Sequence, residues 1–381
     1  MRKIRIGVIG MGGMGYAHCK DVIALEQTEL TCISSRDKEV VNKNAQEFGV
    51  KPFTDYKEMI TSGLCDAVII ATPHWTHPEI SVYAFENGLH VLAEKPIAVT
   101  VADADRMIKS AKDNNKIFSM MMQRRAEPRV KKALELVKKG YIGEIVRTLC
   151  IDSWFRTQAY YNSNIWRATW KGEGAGVLVN QAPHMIDVFL LLGGLPIEIE
   201  TKTRTAYHDI EVENEVHALL GYKNGACGYY YVSTLEPIEG HHIEICGEKG
   251  KLVLDSQNLK FYKYEKSIPE SIVSAEDMWE TLKYEEVDIS LDTDAMKGHI
   301  EVIRNFADSI LNGEELITPG EEGLYSVEFY NACILSWKKN KSVKLPIDRE
   351  EYNLLIDGLV KTSKPKKNVK IQRATDPKYR K

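Results

Sequence analysis

The chain has 381 residues, 44% of them hydrophobic and 27% charged, with a formal net charge of −4. That length suits two or more domains, and the weakly acidic balance offers no electrostatic grip on nucleic acid or an anionic membrane surface. Seven cysteines, at positions 19, 32, 65, 150, 227, 246 and 333, are scattered singly with no Cys-x-x-Cys, as in a cytosolic protein with reduced thiols. No signal peptide is expected ahead of the first strand, no apolar run approaches the roughly 18 residues of a membrane span, and no metal-ligand spacing stands out, so no metal is expected.

The apolar run Ile4–Ile9 opens the first strand, and Tyr16–Ala24 reads as the first helix. Between them lies Gly10-x-Gly12-x-x-Gly15. A strand, a tight glycine turn and a helix N-terminus form a cradle for a dinucleotide pyrophosphate. Gly10 allows the turn, Gly12 lets backbone amides approach the phosphates, Gly15 permits close helix–strand packing, and Gly13 and Met14 complete the turn. Further strands are expected at Leu30–Ser34, Ala67–Ala71, His90–Ala93 and Ile117–Met121, alternating with helices at Lys38–Phe48, Tyr56–Thr61, Pro78–Asn87 and Ala102–Asn114. This alternation indicates a doubly wound parallel sheet of the Rossmann kind, over residues 1–122.

The pattern then changes. A helix at Pro128–Lys139 and a turn at Gly140–Gly143 lead into strands at Val146–Trp154, Ile197–Thr205, Glu215–Tyr222, Ala226–Thr234, Ile243–Cys246 and Leu252–Leu254, with edge strands at Leu259–Tyr264 and Leu282–Val287. Two late helices, Gly298–Leu311 and Glu321–Lys338, are expected to cover one face of this second sheet. The second domain is assigned to 123–362, and 363–381 to a basic tail, solvated or serving as a subunit arm.

Strand carboxyl ends line the ligand crevice of such sheets. The third expected strand ends in Ala71-Thr72-Pro73, so Thr72 and Pro73 are candidate cofactor contacts, and His77 sits at the cofactor's edge. The next ends in Glu94-Lys95-Pro96. A lysine there can hydrogen-bond a substrate hydroxyl and favour an alkoxide-like transition state.

With Gly88-Leu89-His90-Val91, Gly140-Tyr141-Ile142-Gly143-Glu144, Gly174-Ala175-Gly176-Val177-Leu178 and Asn180-Gln181-Ala182-Pro183-His184-Met185-Ile186-Asp187, the chain resembles the glucose–fructose oxidoreductase/inositol dehydrogenase/MocA family over essentially its whole length. The resemblance implies an α/β protein: an N-terminal Rossmann domain, then a C-terminal α/β domain with a large open, mostly antiparallel sheet through which homodimers or homotetramers form. It also implies a frequently cis Lys95–Pro96 bond, Lys95 and His184 as the catalytic pair, and Glu94 and Lys95 beside the cofactor. The family's commoner pattern places Asp four residues before the histidine; here that residue is Asn180, which can bind a sugar hydroxyl but carries no charge.

The position that usually grips an NAD ribose is occupied by Ser35, followed by Arg36, which suits a 2′-phosphate and favours NADP(H) over NAD(H); Asp37, one register away, argues the other way. The segment Trp154–Trp170 mixes aromatic faces with polar groups, as binding of a polyhydroxylated ring requires. Tyr160, Trp166 and Arg167 are the best substrate candidates, joined by Asn180, His184 and Lys95, with Arg124 and Arg125 at the domain junction able to reach the cleft. The leading expectation is an NAD(P)-dependent oxidoreductase acting on a sugar, cyclitol or glycoside hydroxyl. The alternatives are a glycosidase-like enzyme that retains its NAD and works by transient oxidation and elimination, a nucleotide-sensing regulator, and another reductase of the biliverdin type.

Overall fold

A computed structural model describes residues 2–364 except Thr293, together with Lys366, Val369 and Lys370. Among these residues the N-terminal sheet has six parallel strands in the order β3-β2-β1-β4-β5-β6. They are β1 (Ile4–Ile9), β2 (Thr28–Ser34), β3 (Lys51–Phe53), β4 (Ala67–Ile70), β5 (His90–Ala93) and β6 (Phe118–Met120). The connecting helices are α1 (Gly13–Ala24), α2 (Lys38–Phe48), α3 (Tyr56–Ile60), α4 (His77–Glu86) and α5 (Val101–Asp113). β4 is buried along its whole length and β1 along nearly all of it, which is why both read as unbroken apolar runs. The strand order reverses between β1 and β4, so a crevice opens at their carboxyl ends, beside Gly10 and Thr72.

After α6 (Pro128–Lys138) the chain builds a second sheet, of nine strands among the described residues, in the order β14-β13-β12-β11-β7-β10-β9-β8-β15. These are β7 (Ile145–Phe155), β8 (Glu198–Arg204), β9 (Glu215–Gly221), β10 (Cys227–Ser233), β11 (Leu235–Gly247), β12 (Gly250–Asp255), β13 (Leu259–Tyr264), β14 (Tyr284–Val287) and β15 (Val343–Lys344). β7 and β10, adjacent near the middle, run parallel, and the other neighbours run antiparallel. Along β7 the side chains alternate: Thr148, Cys150, Asp152 and Trp154 are buried, while Ile151 and Phe155 are exposed. The helical pieces are α7 (Gln158–Tyr161), α8 (Val177–Asn180), α9 (Pro183–Gly193), α10 (Ile268–Ser274), α11 (His299–Asn312), α12 (Gly323–Lys339) and α13 (Arg349–Thr362).

Several expectations change. β3 is an added strand, too short and too exposed to carry a periodic signal. β11 begins eight residues earlier than the expected Ile243, because Pro237 and Gly240 mask its first half. The late helices do not share one sheet face. α11 returns to the N-terminal domain, where Val302, Ile303 and Phe306 pack with Ile4, Ile6, Cys19 and Val22 of β1 and α1. Each of the valine, isoleucine and phenylalanine side chains, fully buried, contributes roughly 1.5–3 kcal/mol. Of these two late helices, α12 is the one that backs the second sheet, and it also contacts α5. α13 was not anticipated, although Asp348-Arg349-Glu350-Glu351 carries a capping signature, and the Asp348 carboxylate accepts from Glu351 N at 2.9 Å. At the tail, Ser363 hydrogen-bonds Glu211, and Lys366 Nζ donates to the main-chain oxygens of Tyr161 and Arg167. The tail therefore begins docked on its own chain; 371–381 lie outside the described residues.

Candidate active site

Gly10 has φ +100°, and a Cβ there would lie 2.4 Å from Ala71 O. A Cβ on Gly15 would lie 1.7 Å from Gly10 O, so neither position accepts a side chain. At Gly12 a Cβ would meet nothing within 4 Å. Gly12 is also the N-cap of α1, with no side-chain cap and no acidic residue in the first turn. An open approach to uncapped amides at the positive end of a helix fits a dinucleotide pyrophosphate.

Ser35 and Arg36 directly follow β2. Ser35 N donates to Phe53 O at 3.1 Å, and Arg36 is exposed. Asp37 is the N-cap of α2, its carboxylate accepting from Val40 N at 3.2 Å. Thr72 Oγ1 pairs with Thr76 Oγ1 at 2.7 Å.

Two residues expected beside the cofactor have partners inside the protein. His77 is fully buried, its ring nitrogens 2.8 Å from Thr72 O and 2.9 Å from Pro96 O, so it joins the loops after β4 and β5. Glu94 is bonded to His18 Nε2 at 2.7 Å. His18, on α1 and fully buried, escaped the sequence reading because its partner lies 76 positions away. Burial opposes its protonation, but Asp21 and Glu94 outweigh burial and push it up to about 9. Burial likewise disfavours the Glu94 carboxylate, and His18 reverses this, holding it below the usual carboxylate range.

Lys95 precedes a cis bond to Pro96. Its Nζ donates to Asn180 O at 3.1 Å. Burial, with Arg167 nearby, lowers the pKa of this ammonium. His184 stands in the first turn of α9, one turn beyond Asn180. Burial, followed by Lys95 and Arg124, holds its imidazole well below the usual pKa, so the ring is neutral at neutral pH. Its Nε2 faces Gln123 Nε2 at 3.4 Å, and its Nδ1 is buried with no partner among the described residues. A neutral imidazole beside an ammonium is a proton acceptor beside a hydrogen-bond donor.

The aromatic segment closes the other side. Arg167 stacks its guanidinium on Tyr160 and Trp166, 4.3 and 4.7 Å from the ring centroids. Trp166 in turn meets His74 and Trp75 of the loop after β4. Tyr160 Oη accepts from Gln181 at 2.8 Å and donates to Asn180 Oδ1 at 3.2 Å. Tyr160, Arg167, Asn180, His184 and Lys95 are thereby brought together. Arg124 joins from the opposite edge: His241 Nε2 accepts from its guanidinium at 3.2 Å, and His241 Nδ1 lies 2.6 Å from buried Asp152. Neither His241 nor Asp152 was legible as a site residue, being single polar residues on separate strands. Arg125 does not reach the cleft. It is buried in a two-pronged pair with Asp187, at 2.8 and 2.6 Å, and also bonds Glu322. Among the described residues no group of three or more His, Cys, Asp or Glu is placed to hold a metal ion.

The chain matches the family model "Oxidoreductase family, NAD-binding Rossmann fold" over residues 4–122 and its companion "Oxidoreductase family, C-terminal alpha/beta domain" over 134–345. It is 25% identical over 350 residues to the myo-inositol 2-dehydrogenase of Thermotoga maritima, covering 90% of this chain and 98% of that protein. It is 28% identical to an NADP(+)-dependent scyllo-inositol 2-dehydrogenase of Bacillus subtilis, covering 66% of this chain and 76% of that one. Its fold is similar to that of the WlbA dehydrogenase from Bordetella pertussis, solved with NADH and UDP-GlcNAcA, with TM-score 0.79, 26% identity, and 91% and 100% of the two chains covered. The crevice, the glycine cradle and these matches converge: the chain belongs to the Gfo/Idh/MocA oxidoreductase family and is an NAD(P)-dependent oxidoreductase acting on CH–OH groups.

Proposed function

We propose that this enzyme transfers a hydride between nicotinamide and a secondary hydroxyl or ketone of a sugar, cyclitol or glycoside, with Lys95 and His184 as the catalytic pair. The observation that carries this reading is the bond from Lys95 Nζ to Asn180 O, which joins the lysine to the segment that bears His184. A bound nicotinamide supplies the hydride-accepting carbon. In the oxidation direction His184 takes the hydroxyl proton, and the Lys95 ammonium hydrogen-bonds the same oxygen and offsets its developing negative charge. The reverse direction returns both. Arg124, Tyr160, Trp166, Arg167 and Asn180 hold the ring, its C–H faces against aromatic surface and its hydroxyls on the polar groups.

Gly10, Gly12, Gly13, Met14 and Gly15 hold the pyrophosphate, and Thr72 and Pro73 line the crevice, braced by His77 and Glu94. NADP(H) is the preferred cofactor: Ser35 and Arg36 follow β2, while the Asp37 carboxylate is engaged in capping α2. The working division is a cofactor domain over 1–122 and a substrate and assembly domain over 123–362. The outer face of the nine-stranded sheet serves a homodimer or homotetramer, a reading supported by exposed Ile151, Phe155 and Leu219. A cytoplasmic setting is supported by seven free cysteines, and no described helix is long and apolar enough to cross a membrane.

The test is a panel of inositols, aldoses, uronates and glycosides assayed by nicotinamide absorbance with each cofactor. Turnover of a polyol substrate supports the reading. A panel on which no member changes the absorbance, with cofactor bound, contradicts it.

A further inference from the structure

Asn180 is held from two sides. Its main-chain oxygen takes the Lys95 ammonium, and its side-chain amide donates to the carboxylate of Glu173. Glu173 is 1% exposed, and the mechanism above gives it no task. Its other contacts are also donors: Ala168 N at 2.5 Å, and the Arg167 guanidinium at 3.8 Å. A carboxyl group facing only donors is an ionised acceptor. The loop is built closely around it. Ala168 adopts φ +53°, and side chains on the flanking glycines would collide, a Cβ on Gly172 lying 2.0 Å from Trp166 O and one on Gly174 lying 2.2 Å from Val99 Cγ1. A non-glycine residue in that region is uncommon and costs energy, which the surrounding contacts must offset.

We propose that Glu173 is a positioning residue for Lys95: through Asn180 it fixes the oxygen that aims the ammonium, and it supplies the negative charge that the Asn180 amide lacks. The groups facing Lys95 are Glu94 beside it, His74 from the loop after β4, Arg167 and Glu173 from the 166–174 loop, His184 on α9 and His299 on α11. Burial and Arg167 favour the neutral amine, whereas Glu94 and Glu173 favour the ammonium. Glu94 is the stronger of the two and is paired with protonated His18, whereas Glu173 acts on the same ammonium from the far side of Asn180. Burial also raises the pKa of Glu173 itself, and the donors around it oppose this.

The role of Lys95 in turnover rests on the proposed function, but the effect of Glu173 on its ionisation does not. The decisive experiment therefore needs no substrate. The full-length protein is labelled competitively with acetic anhydride across a pH series, and the Lys95 peptide is quantified by mass spectrometry in wild type, E173Q, E173D and E173Q/N180D. Loss of the charge in E173Q lowers the Lys95 midpoint by about one pH unit, a tenfold change in amine fraction at a fixed pH. E173D, which keeps the charge but retracts it, moves the midpoint less in the same direction, and E173Q/N180D restores it. An unchanged midpoint in folded E173Q overturns the proposal. Should E173Q fail to fold, an unchanged midpoint in E173D does so. If the midpoint moves but the kcat–pH profile on an identified substrate does not, the positioning role stands and the catalytic reading of Lys95 falls.

Discussion

The Arg125 guanidinium grips Asp187 with two bonds, at 2.8 and 2.6 Å, between the segment that follows β6 and the helix that carries His184. Both partners are buried. Removing Arg125 leaves an unpaired buried carboxylate, so R125A loses about 3–5 kcal/mol in urea unfolding. R106A, which breaks the exposed pair with Asp103, loses less than about 1 kcal/mol and serves as the control.

The glycine turn separates packing from binding. G15A drives a methyl group into Gly10 O and costs about 1–3 kcal/mol or more. G12A meets open space in the free protein, so its stability changes by less than about 1 kcal/mol. Its cofactor dissociation constant nevertheless rises about tenfold or more, equivalent to about 1.4 kcal/mol. Thermal unfolding and fluorescence titration distinguish the two; equal cofactor affinity in G12A and wild type contradicts the cradle.

The buried pair of His18 and Glu94 makes stability depend on pH. His18 is raised to about 9 in the folded protein, from about 6.5 unfolded. Its contribution is complete below the unfolded value and is lost as pH rises through the folded one. Glu94 is depressed, so its contribution is present above the unfolded carboxylate value and lost in acid. Wild type therefore loses stability between about pH 6.5 and 9, a slope that H18Q removes in urea titrations. An identical slope in H18Q contradicts the assignment.

The proposed preference for NADP(H) rests on Ser35 and Arg36. S35D puts a carboxylate where a 2′-phosphate would sit, and the ratio of NADPH to NADH affinity falls about tenfold or more. An unchanged ratio removes these residues from the 2′ site.

What the sequence made legible was local. The glycine turn, its strand and its helix are consecutive, and the alternation along β7 shows which side chains share a face. The spacing of α11 reveals that it buries an apolar stripe but not that the stripe lies on β1 and α1, a choice made by tertiary packing. Glu173 was hidden for another reason: a glutamate in a glycine-rich loop reads as solvated, and the left-handed turn at Ala168 that folds the loop around it has no residue signature. Asp37 reads as a rival ribose ligand, and the cap that its carboxylate makes on α2 shows only once the helix start is placed.

Lys95 and His184 are proposed to carry the chemistry, with the cofactor's phosphates held apart from them on the glycine turn. The most direct test is the cofactor dissociation constant and the turnover number of K95A and H184A, measured on one substrate found in the panel. Cofactor affinity is expected to stay near native in both variants, with turnover lower by about a hundredfold or more. Full turnover in both variants would contradict that assignment.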